Sequence, residues 1–86
     1  MSNLSLVLMH KWYDLIESGE KTSEYREIKP YWDKRLAKHY DTVTFQRGYT
    51  QTKLKFKIIS IGKTNLPTDL GSDQEYYEIK LGERIY

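Results

Sequence analysis

The sequence contains no cysteine and only two prolines among its 86 residues. Without cysteine the chain has neither a disulfide framework nor a thiolate metal site, which excludes the usual stabilisation of small secreted domains. The apolar stretch at residues 4–9 is too short to span a bilayer. It also lacks the preceding basic residues and the following small-residue cleavage site of a signal peptide, so we expect a cytoplasmic protein that does not contact membranes.

A chain of this length is expected to form one domain, over residues 1–86. Eight residues are tyrosine, against two tryptophans and two phenylalanines. Because a tyrosine ring carries a polar tip, this excess suggests either a core that opens onto a wet cavity or a surface that stacks on planar ligands.

The net charge of +2 is distributed unevenly along the chain. Residues 21–63 contain eleven Lys and Arg against four Asp and Glu, whereas the two flanking segments together contain three against eight. A basic segment of this kind could face phosphates, since Lys and Arg release counterions when they neutralise them. Solvated strand faces are the alternative, and charge alone leaves both open.

Hydrophobic periodicity predicts the elements of the first half of the chain. Apolar residues at 4–9 predict a first strand that is buried largely on both faces. Residues 11–18 have the i, i+3, i+4 spacing of a short helix, and Gly19 follows as a left-handed C′ residue. Residues 22–28 predict a strand. A second helix is predicted from Pro30 to about residue 40.

Three segments of the second half, 41–47, 53–58 and 76–81, alternate between apolar and polar residues, as strands do. Residues 62–72 predict a loop or a single helical turn. The resulting order β, α, β, α, β, β, β has connections too short for a wholly parallel sheet. We therefore predict an α+β fold, a small and mostly antiparallel β-barrel of five to six strands with two short helices.

Three charged residues are expected to converge after the first helix. Glu24 and Arg26 are two apart on a strand, so their side chains leave the same face, and Lys21 precedes them at the bend. On a face inside a barrel mouth, the carboxylate would stay ionised between two cations, Lys21 would lose basicity by desolvation, and Arg26 could bind a planar ligand. The alternative is a solvated strand with a surface ion pair worth about 0–1 kcal/mol.

The spacing of these residues resembles the G-x-K-x-x-E-x-R signature of the ASCH domain family, which consists of small PUA-like β-barrels. Gly19, Lys21, Glu24 and Arg26 fill the four signature positions, with Gly19 as a structural residue. The resemblance extends over nearly the whole chain, including residues 25–32, and is to the short single-domain members of bacteria and phages. It implies a cleft beside the first helix that binds RNA, a nucleoside or a nucleotide.

One branch of that family is enzymatic and removes the acetyl group from N4-acetylcytidine. It uses a lysine, a threonine three residues later, and an acid in an insert before the last strand. Lys21 matches the lysine, but Glu24 stands at the threonine position and the segment at 62–72 is short. The acidic residues in or near that segment are Asp69, Asp73 and Glu75.

These departures favour a binding module over an enzyme. Glu24 also favours the charged form of Lys21 and so opposes a role for that lysine as a base or nucleophile. An amidohydrolase with Lys21 and Glu24 as its catalytic residues is the alternative. A protein-interaction domain with an aromatic docking surface is the third hypothesis.

Aromatic residues near the motif are candidates for stacking on a base. Tyr25 and Tyr31 lie beside the signature, and Tyr49 follows a glycine at a predicted turn. Trp32 is more readily explained as a core residue, because it shares a helical face with Leu36.

Basic residues outside the motif are predicted to extend a phosphate path. This basic patch consists of Lys53, Lys55, Lys57 and Lys63. The two histidines, His10 and His39, lack the spacing of a metal site, so neither a metal nor another cofactor is expected. The oligomeric state is left open.

Overall fold

The computed structural model describes residues 2–64 and 75–86, and within them the chain forms the predicted order of five strands and two helices. The elements are β1 (Asn3–Leu8), α1 (His10–Glu17), β2 (Ser23–Glu27), α2 (Pro30–Arg35), β3 (Thr42–Arg47), β4 (Lys53–Thr64) and β5 (Tyr76–Arg84). The predicted α+β composition is confirmed. Most of the predicted loop at 62–72 lies outside the described residues.

The strands form one sheet in the order β1-β3-β4-β5-β2. β1 pairs with β3 in parallel, while the other three pairs are antiparallel. The prediction of a mostly antiparallel sheet is therefore confirmed, with five strands arranged as a half-barrel. This order leaves β1 and β2 as the two edge strands.

β1 is buried on one face only, so the prediction of burial on both faces was wrong. Leu4, Leu6 and Leu8 lie in the core, whereas Ser5 and Val7 are exposed. The reason is that packing covers only the inner face of the half-barrel, where α1 contacts β1 and β3. The outer face of β1 is open to solvent.

One continuous cluster of apolar side chains joins the sheet to the helices. Its most deeply buried members include Tyr13 of α1, Phe45 of β3 and Ile79 of β5. The i, i+3, i+4 spacing predicted that Trp12 lies in the core, yet its side chain is only half-buried. Because tyrosine is amphipathic, its spacing alone did not identify it as the buried residue of α1.

α2 is shorter than predicted and ends at Arg35 instead of near residue 40. Leu36 leaves the helical conformation with ψ at 2°, and its side chain is buried in the core. The Tyr40 hydroxyl donates a hydrogen bond to the carbonyl oxygen of Arg35 at 2.8 Å. A side chain from the following loop thus replaces the next helical turn.

β4 continues to Thr64, six residues beyond the predicted segment, and contains two irregularities. Register shifts occur between Phe56 and Ile58 and between Ile58 and Ser60. An extra residue in a strand reverses which side chains face the core. Beyond the irregularities, Ile61 pairs with the buried Ile79 and packs against the core.

Two side chains that sequence alternation predicts to face outward, those of Thr42 and Tyr76, are buried. Thr42 is buried, and its hydroxyl donates to Asn3 Oδ1 at 2.8 Å, although it was predicted to face outward. Tyr76 is buried while Tyr77 is half-buried, the reverse of the expected order.

Within the described part of the chain, neither helix is long and apolar enough to cross a membrane.

Gly19 adopts the left-handed conformation predicted for a residue that ends a helix, with φ at 87°. Its N–H donates to the carbonyl oxygen of Ile16 at 3.2 Å, and the N–H of Lys21 donates to that of Leu15 at 3.0 Å. These bonds end α1 and turn the chain so that Lys21 precedes β2.

We expect Gly19→Ala to lower the free energy of unfolding by about 1–2 kcal/mol, because only the left-handed backbone disfavours a side chain there. A Cβ at Gly19 would meet no atom within 4 Å. Gly62→Ala is the matched control, since Gly62 also has open space around it but an ordinary φ. Urea denaturation should show a loss for Gly19→Ala only; an equal loss in both variants would contradict a conformational cause.

Candidate functional site

A cavity of about 180 Å³ lies where the two edge strands approach each other, and we call it the seam cavity. Its lining combines β1 and the start of α1 with β2, namely Val7, Leu8, Met9, Trp12, Glu24, Tyr25 and Arg26. Cavities for drug-sized ligands measure roughly 300–1,000 Å³, so the seam cavity suits a single small ring system.

Glu24 is the buried charge of this cavity, with its side chain 7% exposed. Its Oε2 accepts a hydrogen bond from Arg26 Nη2 at 2.7 Å, and its Oε1 lies 3.8 Å from Lys21 Nζ. The backbone N–H of Tyr25 also donates to Oε1, at 3.2 Å. The three charges therefore converge as predicted, on a face that packs against the core instead of lying in open solvent.

Lys21 is held between aromatic rings as well as beside the carboxylate. Its Nζ lies 5.3 Å from the ring centroid of Trp12 and 4.7 Å from that of Tyr25. Burial lowers the pKa of Lys21, Arg26 lowers it further, and the Glu24 carboxylate raises it without restoring the ordinary value. Desolvation thus lowers the pKa of Lys21 more than the Glu24 carboxylate raises it, whereas the sequence led us to expect the effect of Glu24 to be decisive.

Arg26 contacts both the Glu24 carboxylate and a ring of α2. Its guanidinium carbon lies 5.1 Å from the ring centroid of Trp32, so the group stacks on an aromatic face while Nη2 binds Glu24. Its Nε is buried and, among the described residues, has no hydrogen-bond partner. An acceptor placed in the seam cavity could satisfy this donor.

Sequence comparison assigns no family to this chain: no protein-family model matches it, and no curated protein does. A carboxylate and a guanidinium beside each other offer an acceptor and a donor to one planar edge. The rings of Trp12 and Tyr25 supply apolar walls for such an edge.

The other predicted aromatic residues lie outside the seam cavity. Tyr31 stacks on Trp32 with ring centroids 4.8 Å apart, and Arg35 Nη1 donates to its hydroxyl at 2.9 Å. Tyr49 is 96% exposed at the turn between β3 and β4. Trp12 was not predicted as a site residue, since its helical spacing indicated only the core.

The predicted basic patch divides between two faces of the sheet. Lys53, Lys55 and Lys57 alternate with the buried Leu54 and Phe56, and so lie on the outer face. After the irregularities in β4, the inner face passes to Ile61 and Lys63. Lys63 pairs with Tyr77, which pairs in turn with Arg26, so this lysine shares a face with the motif.

Among the described residues, neither histidine lines the seam cavity, and Glu75 does not line it either. His39 pairs with Asp41 at 2.9 Å, and within residues 2–64 and 75–86 no cluster of His, Cys, Asp or Glu could hold a metal ion. Glu75 is exposed immediately before β5. Asp69 and Asp73 lie outside the described residues.

We expect an NMR titration to give Lys21 a pKa below the ordinary lysine value of about 10.4, because its charged form is desolvated. Glu24→Gln should lower the pKa further by removing the favourable charge. Arg26→Met should raise it by removing the like charge.

Lys29 is the internal control of this titration, since its ion pair with Glu27 raises its pKa. A Lys21 pKa at or above that of Lys29 would contradict the dominance of burial.

Proposed function

We propose that this chain is an RNA- or nucleotide-binding domain of the ASCH type with a PUA-like fold, and that the seam cavity receives a base. The observation that carries the proposal is the buried Glu24–Arg26 pair on the wall of a small aromatic-lined cavity, with Arg26 Nε lacking a partner. The G-x-K-x-x-E-x-R spacing supports it, because its charged members meet at one place.

The chemistry of the pair favours a base with an exocyclic amine beside a ring acceptor or carbonyl. Glu24 accepts from the amine, as acidic side chains accept from cytosine N4. Arg26 donates from Nε to the neighbouring ring acceptor or carbonyl of the base, so that this buried donor gains a hydrogen-bond partner. The rings of Trp12 and Tyr25 contact the base, and Lys21 supplies positive charge beside the Glu24 carboxylate.

We expect cytidine to bind more tightly than uridine, because uridine presents a carbonyl to the Glu24 carboxylate. Glu24→Gln, which keeps the shape of the side chain, should weaken cytidine binding roughly tenfold, since one well-placed base contact is worth about 1–3 kcal/mol. Isothermal titration of both nucleosides measures this. Lys53→Ala on the outer face is the control and should leave nucleoside affinity unchanged.

Short single-stranded RNA should bind with an affinity that falls as salt rises, because lysines and arginines release counterions from its phosphates. Lys21→Ala and Arg26→Ala should weaken this binding. Absence of RNA and nucleoside binding at low salt, or affinities unchanged in both variants, would contradict the proposal.

Amide hydrolysis of an acetylated cytidine is the second candidate, and the lowered pKa of Lys21 is what favours it. A lysine with a larger neutral fraction can activate water or attack a carbonyl. Arg26 could then donate to the oxygen that becomes negative. Glu24, at the threonine position of the enzymatic branch, supplies no hydroxyl.

For this candidate, we expect N4-acetylcytidine to be converted to cytidine and acetate by the native chain, with the rate lost in Lys21→Ala. Lys21→Arg is the matched variant, because it keeps the charge but cannot become neutral at ordinary pH. Chromatography of the nucleosides measures the conversion. Equal product in the native chain and both variants would exclude catalysis by Lys21.

A further inference from the structure

A second cavity adjoins the seam cavity and shares two of its wall residues. It measures about 220 Å³ and is lined by Tyr25, Arg26, Glu27, Lys29 and Trp32; we call it the Lys29 cavity. Tyr25 and Arg26 line both cavities. A ligand longer than one base could therefore extend from the first into the second.

The Lys29 cavity has the charge of an anion site. Arg26 and Lys29 contribute two positive charges to its lining, and Glu27 contributes one negative charge. Arg26 faces the carboxylate in the seam cavity through Nη2, so its guanidinium lies between a buried negative charge and the second cavity. The two cavities thus differ in chemistry: the first has a buried carboxylate beside the guanidinium, and in the second the cations outnumber the carboxylate.

Glu27, the acidic residue that lines the Lys29 cavity, forms only a solvent-exposed ion pair. Lys29 Nζ pairs with Glu27 Oε2 at 2.8 Å, but the two side chains are 62% and 53% exposed. Because exposed ion pairs contribute little net stability, an incoming phosphate can replace Glu27 as the partner of Lys29. Arg26 is already oriented by Glu24 and by the Trp32 ring.

We propose that the Lys29 cavity binds the phosphate of a nucleotide whose base occupies the seam cavity. This inference rests on the proposed function, since it takes the base position from there. Lys29 and Arg26 contact the phosphate oxygens, and Tyr25 forms the wall between base and phosphate. The ligand is accordingly a phosphorylated nucleoside or an RNA phosphodiester, and a free nucleoside fills half of the site.

The test compares cytidine, cytidine 5′-monophosphate and the dinucleotide CpC by isothermal titration at low salt. We expect the monophosphate to bind roughly tenfold more tightly than cytidine, a change of about 1.4 kcal/mol, because its phosphate adds hydrogen bonds to charged groups. Tighter binding of CpC than of the monophosphate would assign the site to the RNA backbone. The opposite order would assign it to mononucleotides.

Two variants with opposite expected effects on monophosphate affinity distinguish a direct phosphate contact from an effect of net charge. Lys29→Ala should reduce, but not abolish, the advantage of the monophosphate over cytidine, because Arg26 still contacts the phosphate, and should leave cytidine affinity unchanged. Glu27→Gln should increase monophosphate affinity about threefold or more, because it removes the competing carboxylate. Lys38→Ala, which removes the same charge from outside both cavities, is the control and should have little effect.

The outcomes distinguish this inference from the function on which it rests. Equal affinity for cytidine and its monophosphate would overturn the phosphate site while the base site stands. An equal loss in Lys29→Ala and Lys38→Ala would also overturn it, since net charge would then explain the effect. Failure of cytidine, the monophosphate and CpC to bind would remove the base site and the phosphate site together.

Discussion

The buried charge of Glu24 is the constraint on which the site depends. A carboxylate withdrawn from water is costly unless it is paired and hydrogen-bonded. Arg26, Lys21 and the backbone N–H of Tyr25 meet that requirement from one short segment of chain. The left-handed turn at Gly19 brings the segment into place, so the ending of α1 and the electrostatics of the cavity are coupled.

The cations are in turn positioned by rings and by α2. Lys21 lies over Trp12 and Tyr25, and Arg26 lies over Trp32. Two side-chain contacts hold α2 against the sheet: the Tyr77 hydroxyl donates to Asp33 within the helix, and Arg35 Nη2 at its end donates to the Ser5 carbonyl oxygen of β1 at 2.5 Å. The last bond also occupies an acceptor on an edge strand, which protects the edge against pairing with another chain. The rings of Trp12, Tyr25 and Trp32 thus help to orient the charged side chains of the motif.

Local patterns predicted most of the fold because each element follows its own periodicity. The predicted bounds of β3 and α1 lie within one residue of those in the structure, and Gly19 adopts the predicted left-handed conformation. The errors occur where distant residues decide. Tyr40 replaces the end of α2, irregularities in β4 move Lys63 away from Lys53, and the open outer face of β1 leaves Val7 exposed. Each of these depends on what packs against the element, which periodicity does not contain.

The sequence by itself determined the order of the elements, the shared face of Glu24 and Arg26, and the position of Lys21 at the bend before them. These follow from strand alternation and from the conformational freedom of Gly19. Only the tertiary structure decided that this face is buried at the seam between two edge strands, and that burial outweighs Glu24 in setting the pKa of Lys21. It also brought Trp12 and Trp32 to the charges. Burial and desolvation depend on the whole surrounding packing, so spacing along the chain could not supply them.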